Sequence, residues 1–388
     1  MIVKDLISAQ RSQSLVNVYQ YNSEVFYTGY VYRLSDDGVV IRTFNSYGMS
    51  DGMVFIRLSN VYNVEFYSRD LFNIGSRIRL AKLNGLLEYT QQTPMKLMDD
   101  QDLVKQILGR SYVERQMVML KVAGRNHYVE GGVDQLGERD FKFTAVNKFN
   151  FRRRQELEMP YHDVQIVEFQ GKELTLLSQS AALLFGQSTA PWVQLVPAII
   201  KQGLKQAAHD QRLVEIEAYQ DQDYFYIGWV KAVNQKDVIL EVVDMSGQFG
   251  GYVLTRLDSI QKLTIISDYL SLVNHCVKLN LQQKNFIQPV LNDDRAFDPT
   301  ENLTSAILCQ ARAMRRLVRI RTMGTAHSTM GMPSVVKQNS VVFRPVNEDQ
   351  TKLSSGYIIP LNNIQEIAFD YLGTFLVKKQ LDIQKWRH

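Results

Sequence analysis

The sequence predicts a mainly β protein with connecting helices, organised as four tandem five-stranded small barrels in two duplicated halves. Three observations support this prediction. The phrase GYVLTRLDSIQKLTI at 251–265 returns as GYIIPLNNIQEIAF at 356–369 and as GMVFIRLSNVYNVEF at 52–66. Two long segments of the first half each align without gaps with a segment of the second half, and a glycine recurs at matching positions in all four quarters.

The halves are related by a nearly constant shift. A shift of 199 residues aligns 26–71 with 225–270 at twelve identical positions out of 46. A shift of 200 aligns 102–169 with 302–369 at fourteen identical positions out of 68. Average residue usage gives roughly three and four identities by chance. We therefore predict that one half arose as a copy of the other.

Each half is in turn a degenerate pair. Gly29, Gly131, Gly228 and Gly331 are each followed, ten and twelve residues later, by apolar residues. The repeated pattern of each quarter ends with two apolar residues three positions apart, such as Val61 and Val64 in the first quarter. The pattern predicts four units, at residues 1–85, 86–180, 181–283 and 284–388.

Alternating apolar residues and turn residues predict five short strands in the third quarter. They span 213–219, 224–233, 237–244, 251–256 and 260–266. A helical pattern precedes the set of strands in each quarter. Closing five strands into a barrel removes most exposed sheet edge, and a glycine in the second strand suits the bend. The repeated phrase is then the last hairpin of each barrel, with turn residues at Asp258, Asn362 and Asn363.

A helix followed by a strongly bent five-stranded sheet, with a glycine in the second strand, resembles the Sm-like fold. Arg57 and Arg256 stand where that family carries an Arg-Gly pair in its fourth strand, although leucine follows each arginine here. The resemblance implies a non-catalytic protein that binds RNA. A generic small barrel of the Src-homology type is the alternative fold.

Composition indicates the cellular compartment and whether the chain spans a membrane. The chain has 388 residues, a net charge of +4 and two cysteines, and its start lacks the pattern of a secretion signal. We therefore expect a cytoplasmic protein. The most apolar stretch, 181–200, is interrupted by polar residues and two prolines, which favours a buried helix over a membrane span. Thr189 is its expected cap, and Trp192 and Leu195 lie on its expected buried face.

Candidate binding residues are basic or aromatic. FNFRRRQ places Arg152, Arg153 and Arg154 together, and RAMRRLVRIR contributes Arg315, Arg316 and Arg319. Arginines beside aromatic rings grip phosphates and stack on bases. We expect Tyr30 and Trp229 to be exposed for such stacking. His127 and His327 are equivalent loop residues that suit contact with phosphate or base.

No catalytic constellation stands out. The sequence lacks a Walker loop, a dinucleotide fingerprint, zinc-ligand spacings and paired catalytic carboxylates. We therefore expect no enzyme activity, no cofactor, no metal site and no membrane partner. Two functions remain: RNA binding through the arginine-rich loops, and a scaffold that binds protein partners or further copies of itself.

Overall fold

The computed structural model describes residues 1–21, 25–88, 94–98, 100–125, 127–218, 225–325, 327–347 and 352–385. The chain forms two compact units, Met1–Ser188 (unit 1) and Thr189–His388 (unit 2). Each unit contains one large antiparallel sheet together with helices. None of the helices described is both long and apolar enough to cross a membrane.

The described residues of unit 1 form two successive groups of five strands, and a helix precedes each group. Its helices are α1 (Ile2–Ser12), α2 (Arg69–Leu83), α3 (Leu103–Glu114), α4 (Lys172–Gln179) and α5 (Ala181–Leu184). Its strands are β1 (Val16–Gln20), β2 (Phe26–Leu34), β3 (Gly38–Phe44), β4 (Ser50–Arg57), β5 (Val61–Glu65), β6 (Val118–Val122), β7 (Val129–Leu136), β8 (Asp140–Ala145), β9 (Gln155–Pro160) and β10 (Val164–Phe169).

Unit 2 repeats this arrangement and adds one short strand at its start. Its helices are α6 (Pro197–Asp210), α7 (Asp268–Gln282), α8 (Leu303–Ala313) and α9 (Leu372–Lys385). Its strands are β11 (Trp192–Gln194), β12 (Leu213–Ala218), β13 (Phe225–Val233), β14 (Asp237–Val243), β15 (Phe249–Arg256), β16 (Ile260–Ile266), β17 (Val318–Thr322), β18 (Thr329–Val336), β19 (Ser340–Pro345), β20 (Tyr357–Pro360) and β21 (Ile364–Phe369). The five strands predicted for the third quarter agree with β12 to β16 within about two residues at each described end.

The sheets are open, so the prediction of closed barrels is wrong. The strand order is β5-β1-β2-β3-β4-β10-β6-β7-β8-β9 in unit 1 and β11-β16-β12-β13-β14-β15-β21-β17-β18-β19-β20 in unit 2. Within each group of five strands, the last lies beside the first. The fourth strand of the leading group pairs with the last strand of the following group, so Ile56 lies opposite Ile166 and Leu254 opposite Ile367. This pairing provides hydrogen-bond partners for the backbone groups at the outer edge of the fourth strand. Closure of a single barrel was expected to remove that edge instead.

The repeated phrase is not a hairpin, which corrects a second expectation. β15 pairs with β14 and β21, whereas β16 pairs with β12 and β11. A 3₁₀ turn, Leu257–Ser259, separates the two strands, and Leu58–Asn60 does the same between β4 and β5. The turn sends the fifth strand to the first strand of its group instead of returning it beside the fourth.

The glycine of the second strand sits where a side chain would collide, as predicted. A Cβ atom at Gly29 would lie 2.1 Å from the carbonyl oxygen of Arg42. The corresponding distances are 2.0 Å at Gly131, 2.2 Å at Gly228 and 2.4 Å at Gly331, each to a backbone oxygen of the third strand. Close approach of two backbones therefore requires glycine at all four positions.

The helices that precede the strand groups bury one apolar face. Leu6 and Ala9 of α1 are fully buried in the core that contains Val18 of β1. Ile107 of α3 is fully buried in a second core with Phe143 of β8. Such a stripe is the usual consequence of 3.6-residue periodicity in a surface helix.

The helix predicted within 181–200 begins later than expected. Residues 192–194 form β11, and α6 starts at Pro197, where proline suits the first helical turn. Thr189 is not its cap; its backbone N–H donates to Asp268 Oδ1 at 2.7 Å. Trp192 and Leu195, expected to be buried, are 52% and 62% exposed.

Candidate functional site

The arginine loop of unit 1, residues 149–154, connects β8 to β9. Asn150 Oδ1 accepts a hydrogen bond from the backbone N–H of Arg152 at 3.1 Å, which tightens the turn. Arg152, Arg153 and Arg154 are all exposed. Arg154 lies 5.5 Å from the ring centre of Phe185 and donates to the carbonyl oxygen of that residue at 3.1 Å. The loop therefore presents adjacent cations from a defined backbone turn.

The predicted arginines of unit 2 differ in their surroundings. Arg315 is exposed and follows α8 in a left-handed conformation with φ of 51°. Arg316 donates to Asp370 at 2.6 Å, and Arg319 lies 5.4 Å from the ring centre of Tyr371. Two of these three arginines thus interact with neighbouring side chains of unit 2.

The two predicted aromatic contacts are half-buried instead of exposed. Tyr30 packs edge-on against Phe44, with ring centres 5.6 Å apart. Trp229 packs edge-on against Phe286 at 6.0 Å. Both rings extend from the second strand of their group onto a neighbouring aromatic ring.

The two predicted histidines are exposed loop residues. His127 lies between β6 and β7 in unit 1, and His327 lies between β17 and β18 in unit 2. Across the described ranges, no group of three or more His, Cys, Asp or Glu side chains could hold a metal ion.

Unit 1 contains a half-buried cluster of charged and phenolic groups that the sequence did not indicate. Tyr27 donates to Glu168 Oε1 at 2.5 Å, and its oxygen lies 3.3 Å from that of Tyr128. Burial raises the pKa of Glu168 to about 7, with further raising by nearby carboxylates. Tyr27 and Glu168 lie 141 residues apart, so only tertiary structure brings them together.

Lys148 neutralises part of the negative charge of this cluster. Lys148 Nζ lies 2.6 Å from Glu173 and 3.0 Å from Glu130. Burial opposes its charge, but the two carboxylates outweigh burial and raise the pKa of Lys148. The corresponding tyrosine of unit 2, Tyr226, donates to Glu366 at 2.7 Å, and that carboxylate is ion-paired with Arg321 at 2.5 Å.

A polar cleft of about 850 Å³ opens in unit 2 beside the start of α8. Its wall includes the turn before β14, the turn before β19 and the 3₁₀ turn before β21. Arg256 in the wall is ion-paired with Asp258 and donates to the carbonyl oxygen of Asn362 at 2.8 Å. Polar groups in the turns that line the cleft therefore already form ion pairs and hydrogen bonds with one another.

A run of exposed apolar side chains lies at the start of the unit 2 sheet. This apolar edge patch consists of Trp192, Val193, Leu195, Val196 and Ile199, which are 36% to 62% exposed. Beside it, a groove of about 470 Å³ is lined by Trp192, Ile199 and Ile265 among others. The sequence carried the signal as an apolar stretch, but its helical periodicity suggested burial.

The opposite end of the same sheet is also apolar. Tyr357 and Ile358 of β20 are 46% and 67% exposed. In the described ranges β20 has one strand neighbour, β19. A row of unpaired backbone groups with exposed apolar side chains is a template for pairing with another strand.

Comparison with protein-family models, with curated proteins and with solved structures gives no match to this chain.

Proposed function

We propose that the chain is a non-catalytic interaction protein of Sm-like modules, acting as a scaffold that makes protein contacts at sheet edges. The apolar edge patch is the observation that carries this proposal. Five large apolar side chains within eight residues are costly to leave in water. They lie on a short end strand, on the helix that follows it and on the two residues between them. The order of elements and the second-strand glycine support the Sm-like assignment of the modules.

A scaffold accounts for the charged residues better than RNA binding does. Arg316 and Arg319 interact with Asp370 and Tyr371, and the rings of Tyr30 and Trp229 pack on other aromatics. Those interactions occupy part of the donor and ring surface that a nucleic acid would contact. The apolar edge patch is already exposed, so a partner can cover it directly.

The scaffold proposal predicts self-association that resists salt. Sedimentation velocity of the intact chain is expected to show a mass that rises with protein concentration, and added salt should not reverse it, because apolar contacts are not screened. Leu195→Ser should weaken association by about tenfold, the effect of removing roughly 1.4 kcal/mol of apolar burial. A chain that stays monomeric at every concentration contradicts the proposal.

A second candidate function is single-stranded RNA binding at the arginine loop of unit 1. Three consecutive exposed arginines beside Phe149, which is 58% exposed, favour it. Arginine binds phosphate groups, and aromatic rings supply stacking that tolerates any base.

The RNA candidate predicts a defined salt dependence. Replacing Arg152 and Arg153 by alanine should reduce the slope of log affinity against log salt by about 1.4, because each phosphate that is no longer neutralised lowers the slope by about 0.7. Fluorescence anisotropy with an RNA oligonucleotide measures this slope. Arg110→Ala is the matched control, because Arg110 is exposed in the same unit but lies 2.7 Å from Glu114. Absence of RNA retention at low salt rules the candidate out.

A further inference from the structure

The end strands β9 and β20 occupy corresponding positions in the two units but differ in surface chemistry. The 200-residue shift places Glu158 of β9 opposite Ile358 of β20 in the alignment. Glu156 and Glu158 of β9 are exposed, whereas β20 has no charged residue. Charged side chains on an edge strand prevent pairing with other strands. β9 therefore carries a charge protection that β20 lacks.

The chain already uses strand pairing at this kind of edge. β20 is the fourth strand of its group, as β15 is of the preceding one. The outer edge of β15 is covered by β21, with Tyr252 opposite Phe369 and Thr255 opposite Glu366. In unit 1, β10 covers β4 in the same way. A fourth strand in this fold accepts an antiparallel neighbour, and the described residues provide none for β20.

The other end of the unit 2 sheet offers a receiving surface. β11 pairs with β16 on one side, through Trp192 opposite Ile266 and Gln194 opposite Leu263. The groove of about 470 Å³ runs between this strand and α6. Ile199 of α6, 47% exposed, forms part of its wall.

We propose that β20 of one copy docks against β11 and its groove on a second copy, so that the sheets of unit 2 join head to tail. This inference rests on the proposed scaffold function and names its partner. β11 and β20 are the two end strands of one sheet, and in the described ranges each has a single strand neighbour. Ile358 is 67% exposed at one end, and Trp192 and Ile199 are exposed beside the groove at the other, so both ends present apolar side chains next to a strand edge. Pairing of β20 with itself would bring two protruding edges together and leave the groove empty. A head-to-tail contact is heterologous and builds rings or filaments.

Two single substitutions test the two surfaces of this contact independently. Ile358→Glu places at the β20 edge the residue that β9 carries at the corresponding position. Ile199→Glu puts a charge into the groove near the start of α6, where a carboxylate suits the helix dipole. Both sites are exposed, and circular dichroism should show an unchanged fold. Glu158→Gln at the protected edge is the control and should associate as the wild type does.

Sedimentation velocity of the intact chains, alone and mixed, gives the decisive result. Each variant alone is expected to be monomeric. An equimolar mixture should form a dimer that does not grow, because Ile199→Glu retains β20 and Ile358→Glu retains the groove. A mixture that stays monomeric overturns the proposal, and so does a dimer of Ile199→Glu alone, which would indicate β20 pairing with itself. A monomeric wild type would instead remove the scaffold function itself.

Discussion

Gly131→Ala is expected to destabilise unit 1 by about 3 kcal/mol or more. The added Cβ would lie 2.0 Å from the carbonyl oxygen of Thr144 and 3.0 Å from the Cα atom of Ala145. Both are backbone atoms of β8, so the clash cannot be relieved by a side-chain rotation. The two strands must separate or lose register, which is the costly form of overpacking.

The adjacent glycine provides the control for this prediction. A Cβ at Gly132 would meet no atom within 4 Å. Gly132→Ala should therefore stabilise the strand by about 0.5–1 kcal/mol through the smaller entropy of the unfolded chain. Urea unfolding followed by circular dichroism compares the two variants. All three tryptophans lie in unit 2, so their fluorescence reports that unit separately. Equal midpoints for the two variants would show that the close approach is not a constraint.

Glu168→Gln is expected to stabilise unit 1 by about 3 kcal/mol at pH 8 and to change little near pH 4.5. Burial raises the pKa of Glu168 from 4.5 to about 7 in the folded chain. The folded state therefore binds the proton more tightly, and the stability gained is fully present below the unfolded pKa and lost as pH rises through 7. Glutamine retains an oxygen acceptor for Tyr27 but carries no charge to be buried.

The measurement is the difference in unfolding free energy between variant and wild type at a series of pH values. Carboxylates far from Glu168 contribute equally to the two curves, so their effect cancels in the difference. The exposed Glu158→Gln serves as the control and should give a nearly flat difference. A flat curve for Glu168→Gln as well would mean that the cluster around Tyr27 holds a normal carboxylate.

Local pattern was sufficient for the strands of the third quarter and for three of the helices. Alternation and turn residues located β12 to β16, and the helical periodicity located α1, α3 and α8. The helices α2 and α7 were missed, although Ser68 and Ser267 are identical in the alignment and cap them by accepting hydrogen bonds from Leu71 and Leu270. Such a repeated N-cap residue is a usable signal.

The candidate surfaces were predicted only in part. The arginine loop is exposed as expected, because a run of three charged residues has no place in a core. The apolar edge patch was not predicted, since the spacing of Trp192, Leu195 and Ile199 suits a helical face as well as it suits a short strand followed by a helix. Periodicity cannot tell these apart over so few residues.

Most of the local elements, their repetition along the chain and the position of the second-strand glycine could be predicted from the order of the residues. Those properties depend on residues that are close together in the chain or that lie on the two strands of one hairpin. Tertiary structure alone decided that the sheets stay open, that β4 pairs with β10 and that Tyr27 meets Glu168. It also decided which end strands are covered. Backbone groups can pair with any strand that comes beside them. A contact between residues more than a hundred positions apart leaves no local pattern in the sequence from which it could be predicted.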